Sequence, residues 1–357
     1  MDLDSFFKDD SSDVDIDGVY IPPGDNSTDL YEKYQLLMNG DVNQVSFFDS
    51  FLGFGDAHSV SECPSPEAFV EVIYQLAING EYNAFCLIVC IVSNETQPHS
   101  LLAGKPVVDA ALKYLEDADM ERLKEISIYL YSVYCDSQKV VELISTIRFC
   151  TQVEKILSSI GDIDPMLSEY TFSSLARFVG QLYRHKPVGE QGEYVQIALM
   201  LAQSLVPKAV RTGVDILVDL NRKQQFTLTD NHEEWIFDTL RKGGKCVPCI
   251  IYMISEVCED EEWNNLCSRG LKKDLLDIFE RTDRTAESIL HLFCDRHAVI
   301  DPATDAFAKI VKLMNEGLIR EIMAVVCYLH SLMDDLTPEG FLTLLQNGLL
   351  RAVTATI

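Results

Sequence analysis

The chain has 357 residues, 47% of them hydrophobic, and a mean hydropathy of +0.05, which supplies a large core and excludes a chain disordered throughout. Its net charge of −27 and pI near 4.5 repel a phosphate backbone and an anionic bilayer, so nucleic acid is a poor partner and basic protein segments are favoured ones. The opening Met1-Asp2-Leu3-Asp4-Ser5 carries acids where a secretory signal needs a basic end and an apolar run, and no stretch reaches the length of a membrane span.

These features predict a cytoplasmic protein, with the nucleus also open to it, and no membrane insertion. Eleven cysteines, an odd number, sit in apolar segments such as Phe85-Cys86-Leu87-Ile88-Val89-Cys90, the usual setting of reduced packing thiols, so no disulfides are expected. In that compartment the sequons at Asn26-Ser27-Thr28 and Asn94-Glu95-Thr96 carry no glycan.

Residues 1–66 hold fourteen acids against two lysines. This composition predicts an acidic, largely disordered N-terminal tail, with the folded domain running from residue 67 to 357. Aromatic clusters interrupt the charge at Phe6-Phe7, Tyr20-Ile21-Pro22-Pro23, Phe47-Phe48 and Phe51-Leu52-Gly53-Phe54. Acidic runs with spaced aromatics can dock as short recognition segments, on a partner or on the protein's own surface. A short helix is predicted over residues 29–39, closed by Gly40.

From about Pro64 onward, apolar residues recur at i, i+3, i+4 and i+7 between short polar breaks, and no strand alternation interrupts them. The body is therefore all-helical. Aligning residues 84–93 with 125–134 places Ile88 on Leu130, 42 positions apart. Similar helices centre on Leu175, Leu217, Met253, Leu292 and Leu329 at intervals of 36 to 45. Leu101-Leu102-Ala103-Gly104, Leu266-Cys267-Ser268-Arg269-Gly270 and Leu344-Leu345-Gln346-Asn347-Gly348 each place a glycine before an apolar helix. They predict a short helix that ends at positive φ, a sharp turn, and a longer helix across it, hence a three-helix unit that must stack on its neighbours.

Residues 98–115, from Pro98-His99-Ser100-Leu101 to Lys113-Tyr114-Leu115, together with the helix to Tyr134, resemble one repeat of the armadillo family, closely related to HEAT repeats. The resemblance implies an all-α, right-handed superhelical solenoid of about six to seven three-helix repeats. It also implies a non-catalytic scaffold or adaptor with no cofactor, binding proteins or extended peptides along a concave surface lined by the third helices.

On that alignment, residues two before and two after each anchor lie about 200° round the helix from it and should line the groove. The candidate partner-binding residues among them are Ser132, Arg177, Asp215, Asp219, Ser255 and Ser331, with Asp215 and Asp219 best placed for a cationic group. Ser173, Ile128, Ile251, Leu290, Cys86, Cys90, Cys294 and Cys327 complete the set. In the import adaptors of the family a Trp and an Asn one turn apart clamp basic peptides. Here no groove pair is Trp with Asn, Trp235 and Trp263 fall outside the third helices, and the tail is acidic where the adaptors carry a basic segment. A divergent import adaptor remains the alternative.

A second alternative is a zinc- or thiol-dependent enzyme built on Cys246-Val247-Pro248-Cys249 with Cys258 and Cys267. A thioredoxin-type pair needs a strand leading into its helix, and zinc ribbons need two tight knuckles, so packing thiols are the favoured reading. His291, Cys294 and His297 cannot converge from one helix, and Glu259-Asp260-Glu261-Glu262 and Asp334-Asp335 read as solvated loops. The glycines at Ala103-Gly104-Lys105-Pro106 and Gly243-Gly244-Lys245 lack phosphate-loop spacing. No metal is expected. The final residues 349–357 read as a helix that packs back or meets another chain.

Overall fold

The computed structural model describes residues 26–53, 60–94, 101–134, 152–156, 165–186, 188–204, 206–282, 285–301 and 304–332. Among them the fold is all-α, with no strand, and no helix is long and apolar enough to cross a membrane. The first helices are α1 (Asn26–Met38), α2 (Val45–Gly53), α3 (Pro66–Ile78), α4 (Tyr82–Asn94), α5 (Lys105–Glu116) and α6 (Met120–Tyr134). Then come α7 (Pro165–His185), α8 (Val195–Gln203), α9 (Pro207–Arg222), α10 (Asp230–Lys242) and α11 (Val247–Val257). The last described are α12 (Asp260–Ser268), α13 (Leu271–Arg281), α14 (Ala286–Asp295), α15 (Asp305–Glu316) and α16 (Ile319–Leu332).

Local sequence sets the helix ends. Pro66, Pro106, Pro207 and Pro248 stand in the first turns of α3, α5, α9 and α11, where a missing N–H costs nothing and the fixed φ suits a helix. The turn after α1 carries Gly40 at φ +95° and the one after α3 carries Gly80 at +104°, values that a Cβ would disfavour.

The helices pack as two rows. In the first row each member rests on the next: α2 on α4, then α6, α7, α9, α11, α14 and α16. The second row covers one side of it, with α1, α3 and α5 in succession, α8 against α9, and then α10, α13 and α15 in succession. One continuous apolar core runs between the rows from Tyr34 to Leu332. The sequence anchors Ile88, Leu130, Leu175, Leu217, Met253 and Leu292 are all inside it, as a stacked array with no complete single unit requires. Leu329 is half-buried; its neighbour Tyr328 takes the core position.

Three expectations need correction. Residues 26–53, assigned by charge to the tail, form α1 and α2 and bury Tyr34, Leu37, Phe48 and Leu52. A high proportion of acids does not prevent folding when one helix face carries enough apolar area. The predicted helix at 29–39 matches α1, which starts three residues earlier and ends one residue sooner. Second, of the three glycines expected to turn a short helix into a longer one, Gly270 does so between α12 and α13, at φ +106°. Gly104 instead has φ −77° and caps α5, and residues 101–103 make only a turn; Gly348 lies outside the described residues. Third, Glu259-Asp260-Glu261-Glu262 is no loop. It is the start of α12, with Glu259 and Glu262 closing a capping box, and acids in a first turn are favoured by the helix dipole. Asp334-Asp335 and residues 349–357 lie outside the described residues.

Consecutive units are joined by two chemistries. Before α7 the links are aromatic: Phe48 meets Phe69 at 4.8 Å between ring centroids, and Phe85 meets Tyr114 at 5.4 Å and Tyr129 at 5.2 Å. After α8 they are ionic, each joining partners 33 to 36 residues apart. Arg222 pairs with Glu256, Arg269 with Glu233, Arg241 with Asp274 at 3.0 Å, Arg296 with Asp260 at 3.4 Å and Arg320 with Glu287 at 3.7 Å. One device recurs in both halves. The buried Tyr129 hydroxyl donates to Leu102 O at 2.7 Å in the segment before α5. The buried Tyr328 hydroxyl donates to Ala298 O at 3.1 Å and accepts from Ile300 N–H at 2.8 Å in the segment before α15. Each ties a first-row helix to the backbone leading into its second-row partner.

Candidate functional site

Where a first-row helix is flanked on both sides, only a narrow stripe of it reaches solvent. On α9 that stripe is Lys208, Thr212, Asp215, Asp219 and Arg222, and on α11 it is Tyr252, Ser255 and Glu256. The positions predicted for a groove fall mainly here: Arg177 and Asp215 are exposed, and Ser132, Asp219, Ser255 and Ser331 are half-buried. Ile251 and Leu290 do not, at 1% and 0% exposure. Both are core residues, because the stripes of α11 and α14 are rotated relative to the assumed anchors and the neighbouring helices close over those positions.

The stripe's acids are already partnered. Asp219 accepts hydrogen bonds from the Tyr183 hydroxyl and the Lys223 ammonium, and Lys223 also donates to Gln191 Oε1 at 2.8 Å. Burial pushes the Asp219 carboxyl up, and the bonds from Lys223 and Tyr183 more than reverse this, leaving it below the ordinary carboxylate range. Burial and then the adjoining Asp219 charge push the Tyr183 phenol up. Asp215 has Arg211 Nε at 3.9 Å, and Glu256 is bound by Arg222. The serines are also turned inward: Ser255 donates to Tyr252 O at 2.7 Å and Ser331 to Tyr328 O at 2.8 Å, each within its own helix.

Arg177 differs. Its guanidinium lies over the Tyr131 ring of α6 at 5.3 Å, a cation–π contact, and among the described residues no acid pairs with it. Two turns along the same face stands Arg184 and two turns before it Tyr170, 52% exposed. Across the contact with α9 lies exposed Lys208. Gly180 lets the two helices approach here, since a Cβ on it would sit 3.2 Å from Thr212 Cγ2. Tyr170, Arg184 and Lys208 were missed from sequence, although a seven-residue step in each direction from Arg177 finds the first two.

Cys246, Cys249 and Cys258 are buried as free thiols and Cys267 is half-buried. Burial pushes the thiols of Cys249 and Cys258 up to about 12 and raises those of Cys246 and Cys267 as well, which disfavours the thiolate needed for attack or metal binding. Among the described residues no three His, Cys, Asp or Glu side chains are grouped to hold a metal ion, so neither this set nor His291, Cys294 and His297 converges. Two shallow depressions lie away from the stripe. One, of about 190 Å³, has Tyr114 and Arg122 in its wall; the other, of about 240 Å³, has Phe237 between Arg241 and Arg269. Both arginines of the second already bind acids.

No family model and no curated protein matches the chain. Its fold is similar to that of an engineered protein solved by crystallography, at a TM-score of 0.57 and 14% identity, over 90% of this chain and 82% of the engineered one. At that identity the likeness concerns the fold alone.

Proposed function

We propose that this chain is a non-catalytic binding scaffold of the armadillo or HEAT kind, a helical solenoid whose first-row stripe receives an extended peptide or a partner domain. The observation that carries this reading is the succession of first-row helices from α2 to α16, which share one core and leave a narrow stripe at the surface, polar on α9 and α11. A surface of this kind binds through many modest contacts on a rigid frame, with little ordering cost on the scaffold's side. Its setting is the cytoplasm or nucleus, where its many thiols stay reduced.

Charge pairing favours a general scaffold over an import adaptor. The acids that would meet a basic targeting peptide, Asp219 and Glu256, are neutralised within the stripe, and Trp235 and Trp263 sit on α10 and α12, off the first row. The enzyme reading would need thiolates, which the burial of the cysteine segment opposes.

The test is capture of binding proteins from cell extract by the full chain and by Arg177→Glu, Asp215→Lys and Ser255→Arg. Glu280→Lys on the second-row helix α13 serves as the control. A partner retained by the control and lost with at least one stripe variant is the expected result. A partner indifferent to all three stripe variants, or lost with the control alone, removes the stripe from the function.

A further inference from the structure

The outer face of α16 is apolar where the stripes of α9 and α11 are polar. Ile319, Met323 and Val326 recur at i, i+4 and i+7 on one side of the helix, and Leu318 stands just before its first turn. They are 83%, 55%, 44% and 61% exposed respectively. The opposite side of the helix is in the core through Ala324, Val325, Tyr328 and Leu332. The charges beside the open face are engaged: Arg320 pairs with Glu287 of α14, and Glu321 accepts from Leu318 N–H at 2.7 Å. In a stacked array each interior helix is covered on both flanks, so an open apolar flank on the last described helix is a surface on which a further element stacks.

Residues 333–357 follow α16 directly and lie outside the described residues. From Phe341 to Ile357 they hold eight large apolar side chains, with Arg351 as the one charged side chain; their three acids, Asp334, Asp335 and Glu339, come earlier. Whatever backbone it takes, such a stretch gains by leaving water, and an apolar face suits it where a charged one would not. The reach is ample. Residues 333–339 can span about 25 Å from Leu332, while Ile319 lies only about 20 Å from Leu332 along the helix. A segment joined so closely to the face it covers has an effective concentration there of about millimolar. A second copy of the chain has no such advantage, since a stable contact between proteins takes about 800 Å² from each partner, more than four partly exposed side chains supply.

We propose that residues 340–357 dock on the outer face of α16 in the same molecule, covering Ile319, Met323 and Val326 and closing that end of the array. Left open, the face would offer a head-to-tail contact with another molecule, of the kind that extends into filaments instead of closing. The inference is independent of what the first-row stripe binds.

The experiment places a photo-crosslinking phenylalanine analogue at Met323 of the full chain, and at exposed Glu280 of α13 as the control, and maps the adducts by mass spectrometry over a range of protein concentrations. The expected result is intramolecular adducts to residues 340–357 from position 323, independent of concentration and at least tenfold above those from position 280. A second measurement uses Arg351, the one trypsin site among residues 333–357. Ile319→Asp with Met323→Asp should speed cleavage there at least fivefold while the circular dichroism matches the parent, because both side chains lie outside the core. Adducts only between molecules, which would make a second copy the occupant, adducts elsewhere in the chain, no adducts at all, or equal cleavage rates in parent and variant overturn the proposal. The scaffold reading fails separately, because neither measurement needs a partner on the stripe.

Discussion

The two halves of the molecule hold one architecture together by different means. Up to α6, neighbouring units are joined by buried rings around Phe48, Phe69, Phe85 and Tyr129. From α9 onward they are joined by arginines that reach one unit along the array to an acid, as Arg269 does to Glu233 and Arg241 to Asp274. Rings contribute through buried area, which is insensitive to salt and pH; ion pairs contribute more when shielded from water and lose value when screened or protonated. Acidic composition alone says nothing of this division, since several of the second half's acids are committed to its own arginines. Arg177 of α7, which lies over the Tyr131 ring, stands where the two regimes meet.

Phe85→Ala should break the comparison hardest. Phe85 is fully buried against Tyr114 and Tyr129, and the cavity should cost about 3–5 kcal/mol. Hydrogen exchange should rise across α3 to α6 and leave α10 to α14 protected; a uniform rise would show that the halves do not differ. Arg269→Ala comes next. It leaves the buried Glu233 carboxylate with only Asn265 at 3.2 Å, a loss of about 2 kcal/mol once the guanidinium's own partial exposure is allowed for. Denaturant midpoints should show it, and adding Glu233→Leu should recover part of the loss.

The two tyrosine ties give a smaller and finer test. Tyr328→Phe strands both the Ile300 N–H and the Ala298 carbonyl, whereas Tyr129→Phe strands the Leu102 carbonyl. The losses should be about 2 and about 1 kcal/mol respectively, and equal losses would mean that the Ile300 bond contributes nothing.

The smallest effect concerns pH. His232 Nδ1 accepts the Thr229 N–H at 3.2 Å in the box that caps α10, and burial holds its pKa below the ordinary imidazole value. A lowered pKa means the neutral ring is favoured by folding. Its contribution is therefore complete above about pH 6.5 and is lost as pH falls through the lowered folded value. Exchange at the first turn of α10 should quicken over that interval, and His232→Gln should remove the dependence. A pH response that persists in the variant belongs to some other group.

Much of the fold was legible in particular residues. Ile88, Leu130, Leu175, Leu217 and Met253 could be read as repeating core positions because a stacked helix must bury the same face in every unit. The site was less legible. Arg177 and Asp215 reached the surface as expected, while Ile251 and Leu290 did not, because a rotation of one residue moves a side chain by 100° and no sequence rule fixes that rotation. Asp219, read as a free acid for a cationic partner, is held by Lys223 one turn away and by Tyr183 from the neighbouring helix.

The sequence by itself determined the all-helical class and the buried anchor on most of the first-row helices, because these follow from local propensity and a 3.6-residue periodicity. Only the tertiary structure decided that residues 26–53 join the array, that Gly104 caps a helix where Gly270 turns one, and which charges spend themselves on one another. Those outcomes depend on what stands across each contact, and partners about 35 residues distant are set by packing geometry that no single segment encodes.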